Sequence, residues 1–157
     1  MWFFVYITFY NKNPIKMKIE TYQAYNFPFE LRREIVEFFT QNLDTHENDE
    51  ETVKESLNYI PDRGGHLILV FDKDEIVGGC VINHTHMGYY FPENFLVYLA
   101  THKNHRLKGI GRLIMDKAID VTHGDIYLHL KADNPAKVLY EKYGFESPFI
   151  EMRYIKK

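Results

Sequence analysis

The sequence predicts a mixed α/β domain, and two patterns carry this prediction. Short runs that are apolar or alternate in polarity, as strands do, are interleaved with segments whose apolar residues recur every three or four positions, as in helices. The run FLVYLA at 95–100 has no polar position, which is typical of a central strand buried on both sides. The 157 residues, 45% of them apolar, suit one domain of ordinary size. We therefore expect a single mixed sheet with helices on both faces.

The predicted elements follow the order β-α-α-β-β-β-α-β-α-β. In the first helix, Leu31 and Ile35 stand at helical spacing. The second helix has Val53 and Leu57 four positions apart, and we expect it to end before Pro61 because proline disfavours a helical residue ahead of it. The segments are strand 18–25, helix 27–43, helix 49–59, a two-stranded hairpin within 66–84, an aromatic loop 87–95, strand 94–102, helix 111–123, strand 125–132, helix 135–144 and strand 145–155.

The first sixteen residues stand apart from this pattern. The opening run MWFFVYITFY is apolar but far shorter than the ~20 residues that span a bilayer. It also lacks the leading basic residues and the cleavage site of a secretory signal, so we expect neither secretion nor a membrane partner but a cytoplasmic protein. A second methionine, Met17, begins the first expected strand. We predict that residues 1–16 are an extension outside the core fold, with an added edge strand as the alternative, and that 17–157 form the domain.

Composition excludes several classes of function. The net charge is −3, so a nucleic-acid partner would need a local basic patch, and none is expected. The single cysteine, Cys80, rules out a disulfide within the chain and lies in an apolar run, where a buried inert thiol is expected. His84 and His86 have a spacing that suits a metal, but no third ligand stands nearby, so no metal site is expected.

The stretch HRLKGIGRLIMDKAI joins the end of a buried strand to an amphipathic helix. Such a junction directs unpaired backbone N–H groups and the positive end of the helix dipole at one point. Gly109 and Gly111 allow the backbone to approach a ligand closely, and Arg106, Lys108 and Arg112 add positive charge. We predict an anion site there. A plain glycine turn with a solvated basic face is the alternative.

Known phosphate-binding motifs narrow the choice of anion. The stretch has neither the spacing nor the Lys-Ser/Thr of a P-loop, and Ile114 stands where a dinucleotide fingerprint requires its third glycine. The hexapeptide RLKGIG at 106–111 instead fits a third motif at every defined position. This motif consists of arginine or glutamine, two residues of any type, glycine, one residue of any type, and glycine or alanine. Downstream, NPAKVLYEKYGF at 134–145 places an asparagine before a helix that ends in Leu-Tyr-x-x-x-Gly-Phe. With these two motifs and the element order from residue 17 onward, the sequence resembles the GNAT superfamily of N-acetyltransferases.

The resemblance implies the acyl-CoA N-acyltransferase fold, with acetyl-CoA as co-substrate. In that family the glycine loop binds the pyrophosphate of acetyl-CoA. The preceding strand bulges and splays from its neighbour to hold the pantetheine arm and the thioester carbonyl, and that stretch is Leu99, Ala100 and Thr101 here. Tyr140 matches the tyrosine that protonates the departing sulfur, and its alternative role is core packing; Tyr143 matches an aromatic packing position. The implied cofactor-binding residues are Leu99, Ala100, Thr101, Arg106, Leu107, Lys108, Gly109, Ile110, Gly111, Arg112, Asn134 and Tyr140.

The general base and the acceptor are less well defined by the sequence. Many family members place a glutamate where this chain has Phe95, which cannot accept a proton. Glu93 is our candidate base, and His84, His86 and an ordered water are alternatives. Six acidic residues and one lysine between positions 44 and 55 suggest a cationic amine acceptor, although a solvated helix start explains them equally well. The aromatic run at 89–91 either holds a cation or covers the core.

Two functions follow from this resemblance. The first is an acetyl-CoA-dependent N-acetyltransferase that acts on a primary amine of a small molecule or peptide. The alternative is a non-catalytic acyl-CoA-binding module that signals to a partner. A homodimer is left open.

Overall fold

A computed structural model describes residues 3–7, 15–43 and 49–157 of the chain. Six strands in these residues form one sheet, in which each strand lies beside the next in sequence. All neighbours pair antiparallel except the last two strands, which are parallel, so the predicted mixed sheet is confirmed. The strands are β1 (Phe3–Ile7), β2 (Ile15–Tyr22), β3 (Gly65–Asp72), β4 (Glu75–His84), β5 (Asn94–Thr101) and β6 (Ile126–Tyr127).

Helices cover both faces of the sheet, as predicted. One hydrophobic core joins the first two helices to one face, with Phe39 and Leu57 fully buried. A second core joins the last two helices to the other face, with Ile114 and Met115 fully buried. Cys80 is buried in this second core, as expected of an inert thiol, and burial raises the pKa of its sulfur. The helices are α1 (Arg32–Asn42), α2 (Glu50–Arg63), α3 (Ile110–Val121) and α4 (Lys137–Lys142).

Helix α2 runs past Pro61, so the prediction that it ends at residue 59 is wrong. The Asp49 side chain caps its start by accepting the backbone N–H of Thr52 at 2.8 Å. At the other end, Ile60 is fully buried, and packing of this side chain holds the last turn although Pro61 lacks a hydrogen-bond donor. The helix stops at Gly64, whose φ of 94° suits glycine.

The two predicted strands near the C-terminus are corrected by the structure. Of the segment 125–132, only Ile126–Tyr127 pairs as a strand. The segment 145–155 forms no strand, and residues 143–157 contain no helix or strand. Both errors have one physical cause: β5 turns away from β6 after Phe95, so residues 128–131 have no strand beside them and offer no ladder to the following segment. Alternating polarity at 149–155 indicates the capacity to pair, not the presence of a partner.

At the opposite edge of the sheet, β1 pairs with β2 from Phe3↔Ile19 to Ile7↔Ile15. Residues 3–7 thus form an edge strand, and independent folding of 17–157 stays a prediction. Within the described residues, no helix combines the length and the apolar character needed to cross a membrane.

Candidate functional site

A bulge in β5 opens the site. The register between β4 and β5 runs through Val81↔Tyr98 and resumes at Ile82↔Leu96, so Val97 has no partner in β4. On its other edge, β5 pairs with β6 only at Asn94 and Phe95. Beyond these residues, β5 and the segment that follows β6 separate around a cavity of about 890 Å³. A splayed pair of parallel strands therefore leaves backbone groups of β5 facing an open cleft.

The predicted bulge is present, but it lies at Val97 and not within 99–101. Leu99, Ala100 and Thr101 pair with β4 along one edge and line the cavity. Val97 and Leu99 are only half-buried, which corrects the expectation of a strand buried on both sides. The reason is the loss of β6 as a neighbour at this level of the sheet.

The glycine loop forms the second wall of the cavity. Gly109 has a φ of 79° and immediately precedes α3, whose start has no side-chain cap. Gly111 lies in the first turn of this helix, and a Cβ there would come within 3.3 Å of Leu139 in α4. The first backbone N–H groups of α3 have no helical acceptor, so they suit an anion at this end of the cavity.

The charges of the cavity favour an anionic ligand. Four cationic side chains line it, and Glu151 is the one carboxylate among the described lining residues. These charges fit the pyrophosphate of a coenzyme A ester. The half-buried apolar side chains of β5 suit the less polar pantetheine arm of such an ester. The four cationic lining residues are Arg106, Lys131, Arg112 and Arg153.

The structure brings together nearly all the residues predicted to bind cofactor. Eleven of the twelve line this one cavity, and the exception is Lys108. Arg106 donates to the backbone oxygen of Asn42 at 3.4 Å, which fixes the loop to the end of α1. Asn134 accepts the N–H of Ala136 at 2.9 Å and so supports the start of α4.

Tyr140 projects from α4 into the same cavity. Its side chain is only 7% exposed, and its ring meets that of Phe145 edge-on at 5.5 Å. Burial, and to a lesser extent Cys80, raises the pKa of the Tyr140 phenol above its ordinary value. Within the described part of the chain, no hydrogen bond involves the Tyr140 hydroxyl. A protonated hydroxyl with donor capacity to spare therefore lines the cavity.

Tyr143 lies outside this lining, and its hydroxyl links α4 to α3. It donates to Asp116 Oδ1 at 2.6 Å and lies 3.1 Å from the backbone oxygen of Arg112. Burial, followed by the hydrogen bond to Asp116, raises the pKa of Tyr143 to about 12. This bond ties together the two helices that bound the cavity.

None of the three predicted bases lines the cavity. The Glu93 carboxylate is exposed and accepts the backbone N–H of Asp125 at 2.8 Å, at the start of β5. His84 lies beside His66, with ring centroids 5.4 Å apart, and burial lowers its pKa. His86 Nε2 lies 2.5 Å from the Arg63 backbone oxygen. The structure does not bring Glu93 together with Tyr140, because Glu93 lies outside the cavity lining. The described residues contain no group of three or more side chains that could hold a metal ion.

The acidic region that suggested a cationic acceptor also lies outside the cavity lining. Glu50 and Glu51 both pair with Lys54, at 2.7 and 2.9 Å, and Asp49 is a helix cap whose bonds to Thr52 lower its pKa. Residues 44–48 lie outside the described residues. These contacts favour the alternative of a solvated helix start. In the aromatic run, residues 89 and 90 are exposed and Phe91 packs on a ring of β6, with centroids 4.7 Å apart.

Sequence reasoning missed part of the lining. His129, Glu151 and Arg153 face the cavity from the chain after β6 and from the C-terminal segment. Their positions depend on how these two segments lie relative to each other. The signal available in the sequence was the placement of all three residues at polar positions of two consecutive predicted strands.

A bulged strand, a glycine loop at a helix start and a buried tyrosine around one cavity are together typical of the GNAT class of acetyltransferases. The family model of the acetyltransferase (GNAT) domain matches residues 63–147, and the chain belongs to this family. Comparison with curated protein sequences gives no match.

Solved structures similar to this chain share its fold at low sequence identity. An aminoglycoside acetyltransferase from an uncultured soil metagenomic sample is 18% identical with a TM-score of 0.68, and the match covers 90% of this chain and 99% of that one. A ribosomal-protein-alanine N-acetyltransferase from Brucella melitensis is 15% identical with a TM-score of 0.59, covering 90% and 98%. A transcriptional regulator from Bacillus halodurans is 18% identical with a TM-score of 0.64, covering 88% and 99%. At these identities the likeness concerns the fold alone.

Proposed function

We propose that the chain transfers the acetyl group of acetyl-CoA to a primary amine of a small molecule or peptide. The observation that carries this proposal is the meeting of the bulged β5, the glycine loop and Tyr140 around one cavity. The coenzyme supplies an activated acetyl thioester. The chain has to bind its phosphates, orient the thioester and provide a proton for the sulfur.

The start of α3 and the side chains of Arg106 and Arg112 bind the pyrophosphate in this proposal. The unpaired N–H groups of the helix start donate to phosphate oxygens, and the guanidinium groups neutralise their charge. Gly111 lies in the first turn of this helix, where a Cβ would come within 3.3 Å of Leu139. The free backbone edge of residues 97–101 orients the pantetheine arm by strand-like hydrogen bonds.

Tyr140 is the proposed proton donor. Burial opposes ionisation of its phenol, so the hydroxyl stays protonated at neutral pH and can donate to a departing thiolate. The cationic and aromatic side chains that line the cavity do not select one class of amine, so the proposal extends to primary amines in general. The cytoplasmic location stays a prediction.

A non-catalytic acyl-CoA-binding module is the second candidate. The placement of Glu93 outside the cavity favours it, because the base expected at the start of β5 does not reach the site. Both candidates bind acetyl-CoA, so binding does not distinguish them.

The experiment that tests the proposal measures free thiol released from acetyl-CoA by the full chain with separate amines. The panel contains spermidine, sisomicin, a lysine peptide with a blocked amino terminus and a peptide with a free amino terminus. Amine-dependent thiol release supports the enzyme. Saturable binding of acetyl-CoA by calorimetry, without thiol release in the presence of any of these amines, favours the binding module.

A further inference from the structure

The cavity contains a histidine and a carboxylate that no predicted role uses. His129 follows β6, and Glu151 lies in the C-terminal segment, where the predicted last strand is absent. His129 Nε2 and Glu151 Oε2 are 3.7 Å apart. Both residues line the cavity. The C-terminal segment thus contributes chemistry to the site without joining the sheet.

Arg153 holds the carboxylate of this pair. Its Nε and Nη2 atoms both donate to Glu151 Oε1, at 2.9 and 2.5 Å. The second oxygen, Oε2, is the one beside His129. Three side chains therefore form a line from a guanidinium through a carboxylate to an imidazole, with each oxygen of Glu151 assigned to a different neighbour.

Aromatic rings hold the imidazole from the other side. The His129 ring lies 5.5 Å from Phe95 in β5 and 5.5 Å from Tyr127 in β6, tilted against both. Phe95 and Tyr127 are themselves stacked, with centroids 4.5 Å apart. Phe95 is the residue that replaces the glutamate common in the family. The stacked rings of Phe95 and Tyr127 thus contact His129 at the position where many family members have a glutamate.

Other groups near the cavity do not suit the task of taking a proton from an ammonium. Among the lining residues that the structure describes, His129 is the one histidine and Glu151 the one carboxylate. The remaining ionisable lining groups are cations or tyrosines, which hold their protons at neutral pH. Glu151 is engaged by Arg153, whereas a neutral imidazole with one nitrogen toward Glu151 keeps a lone pair on the other.

We infer that His129 is the general base of the acetyl transfer and that Glu151, fixed by Arg153, is its positioning residue. This inference rests on the proposed function. His129 takes one proton from the acceptor ammonium, and the resulting amine attacks the thioester carbonyl. The C–N bond forms and the C–S bond breaks. The sulfur receives the proton of Tyr140, and the second proton lost by the nitrogen returns through water to Tyr140. The proton on His129 is then released to solvent.

The geometry of the free protein suits a site that tightens when substrates bind. A separation of 3.7 Å is longer than a hydrogen bond, and catalytic hydrogen bonds are often long before substrate is present. The charged and titratable groups around the imidazole are Glu151 and Arg153 from the C-terminal segment and Tyr127 from β6. Burial, followed by Glu151 and Tyr59 of α2, raises the pKa of Tyr127, so this phenol remains neutral beside the base.

The test compares the full chain with His129→Gln and Glu151→Gln, using acetyl-CoA and the same four amines. We expect His129→Gln to lower kcat/KM roughly 10²-fold at neutral pH, as for removal of a general base. The deficit should narrow toward pH of about 10, where solvent alone deprotonates a primary amine. Glu151→Gln should lower kcat about tenfold, the cost of one hydrogen bond to the base, with KM for acetyl-CoA unchanged.

The matched control is His123→Gln, at an exposed histidine that does not line the cavity. It should leave the pH profile unchanged, and calorimetry should show acetyl-CoA affinity within about threefold of the parent for every variant. If the parent chain is active and His129→Gln is equally active, or its deficit is the same at every pH, the inference fails and the proposed function stands. If the parent chain acetylates none of the four amines, the proposed function fails and the inference with it.

Discussion

Replacement of Tyr140 by phenylalanine separates its chemical role from its packing role. The change removes one hydroxyl and keeps the ring that packs on Phe145. Because no hydrogen bond in the described residues involves this hydroxyl, its loss leaves no partner unsatisfied. We therefore expect the free energy of unfolding to change by less than ~1 kcal/mol, and acetyl-CoA affinity to stay nearly constant.

The expected kinetic effect of Tyr140→Phe is much larger than its effect on stability. Loss of a general acid typically slows a reaction by 10²-fold or more, and a thiolate is a fairly good leaving group, so we expect roughly 10²-fold. This factor corresponds to about 2.7 kcal/mol of transition-state stabilisation. Thiol release with a good acceptor measures the rate, and thermal unfolding with calorimetry measures stability and binding. Unchanged turnover would refute the role of Tyr140 in catalysis, and joint loss of stability and binding would show that the hydroxyl is structural.

Three further predictions concern the loop, the N-terminus and a buried histidine. Gly111→Asp should weaken acetyl-CoA binding at least 10²-fold by calorimetry, because its carboxylate would meet the pyrophosphate, whereas Gly111→Ala, which adds a Cβ alone, should cost less than tenfold; equal affinities would contradict the loop assignment. A chain beginning at Met17 should fold and bind acetyl-CoA, and an insoluble or molten product would place residues 1–16 in the core. Burial, with smaller effects of neighbouring histidines, lowers the pKa of His66 to about 4, so the unfolded chain binds the extra proton between pH 6.5 and about 4. Stability should therefore fall as pH falls through this window, and the slope of unfolding free energy against pH should be smaller in His66→Gln. An unchanged slope would show that other groups cause the pH dependence of stability.

Residues of the two local motifs meet around one cavity, and that they bind an anion stays a prediction. The residues of RLKGIG are consecutive, so the strand, turn and helix around them fix their positions without reference to distant parts of the chain. The same holds for Asn134 and Tyr140, which lie in one short helix and the turn before it. Sequence spacing is sufficient where one supersecondary unit contains the whole arrangement.

The other half of the site depends on contacts between distant segments, which spacing does not determine. Glu93 is near the site in sequence, but its carboxylate lies outside the cavity lining and accepts the backbone N–H of Asp125. His129 and Glu151 come together because β6 ends early and the C-terminal segment stays outside the sheet. Pairing of β5 with β6 ends at Phe95, two residues before the bulge at Val97, and hydrophobic periodicity reveals neither feature.

Transfer of a labelled acetyl group tests the central claim most directly. The full chain would be incubated with acetyl-CoA carrying ¹³C in the acetyl carbonyl and with each amine of the panel, and the products would be followed by mass spectrometry and NMR. We predict that the label appears in an amide of at least one amine, at a rate that Tyr140→Phe reduces. Label that remains on coenzyme A, or that appears as free acetate without any amide, would contradict the account of this chain as an N-acetyltransferase.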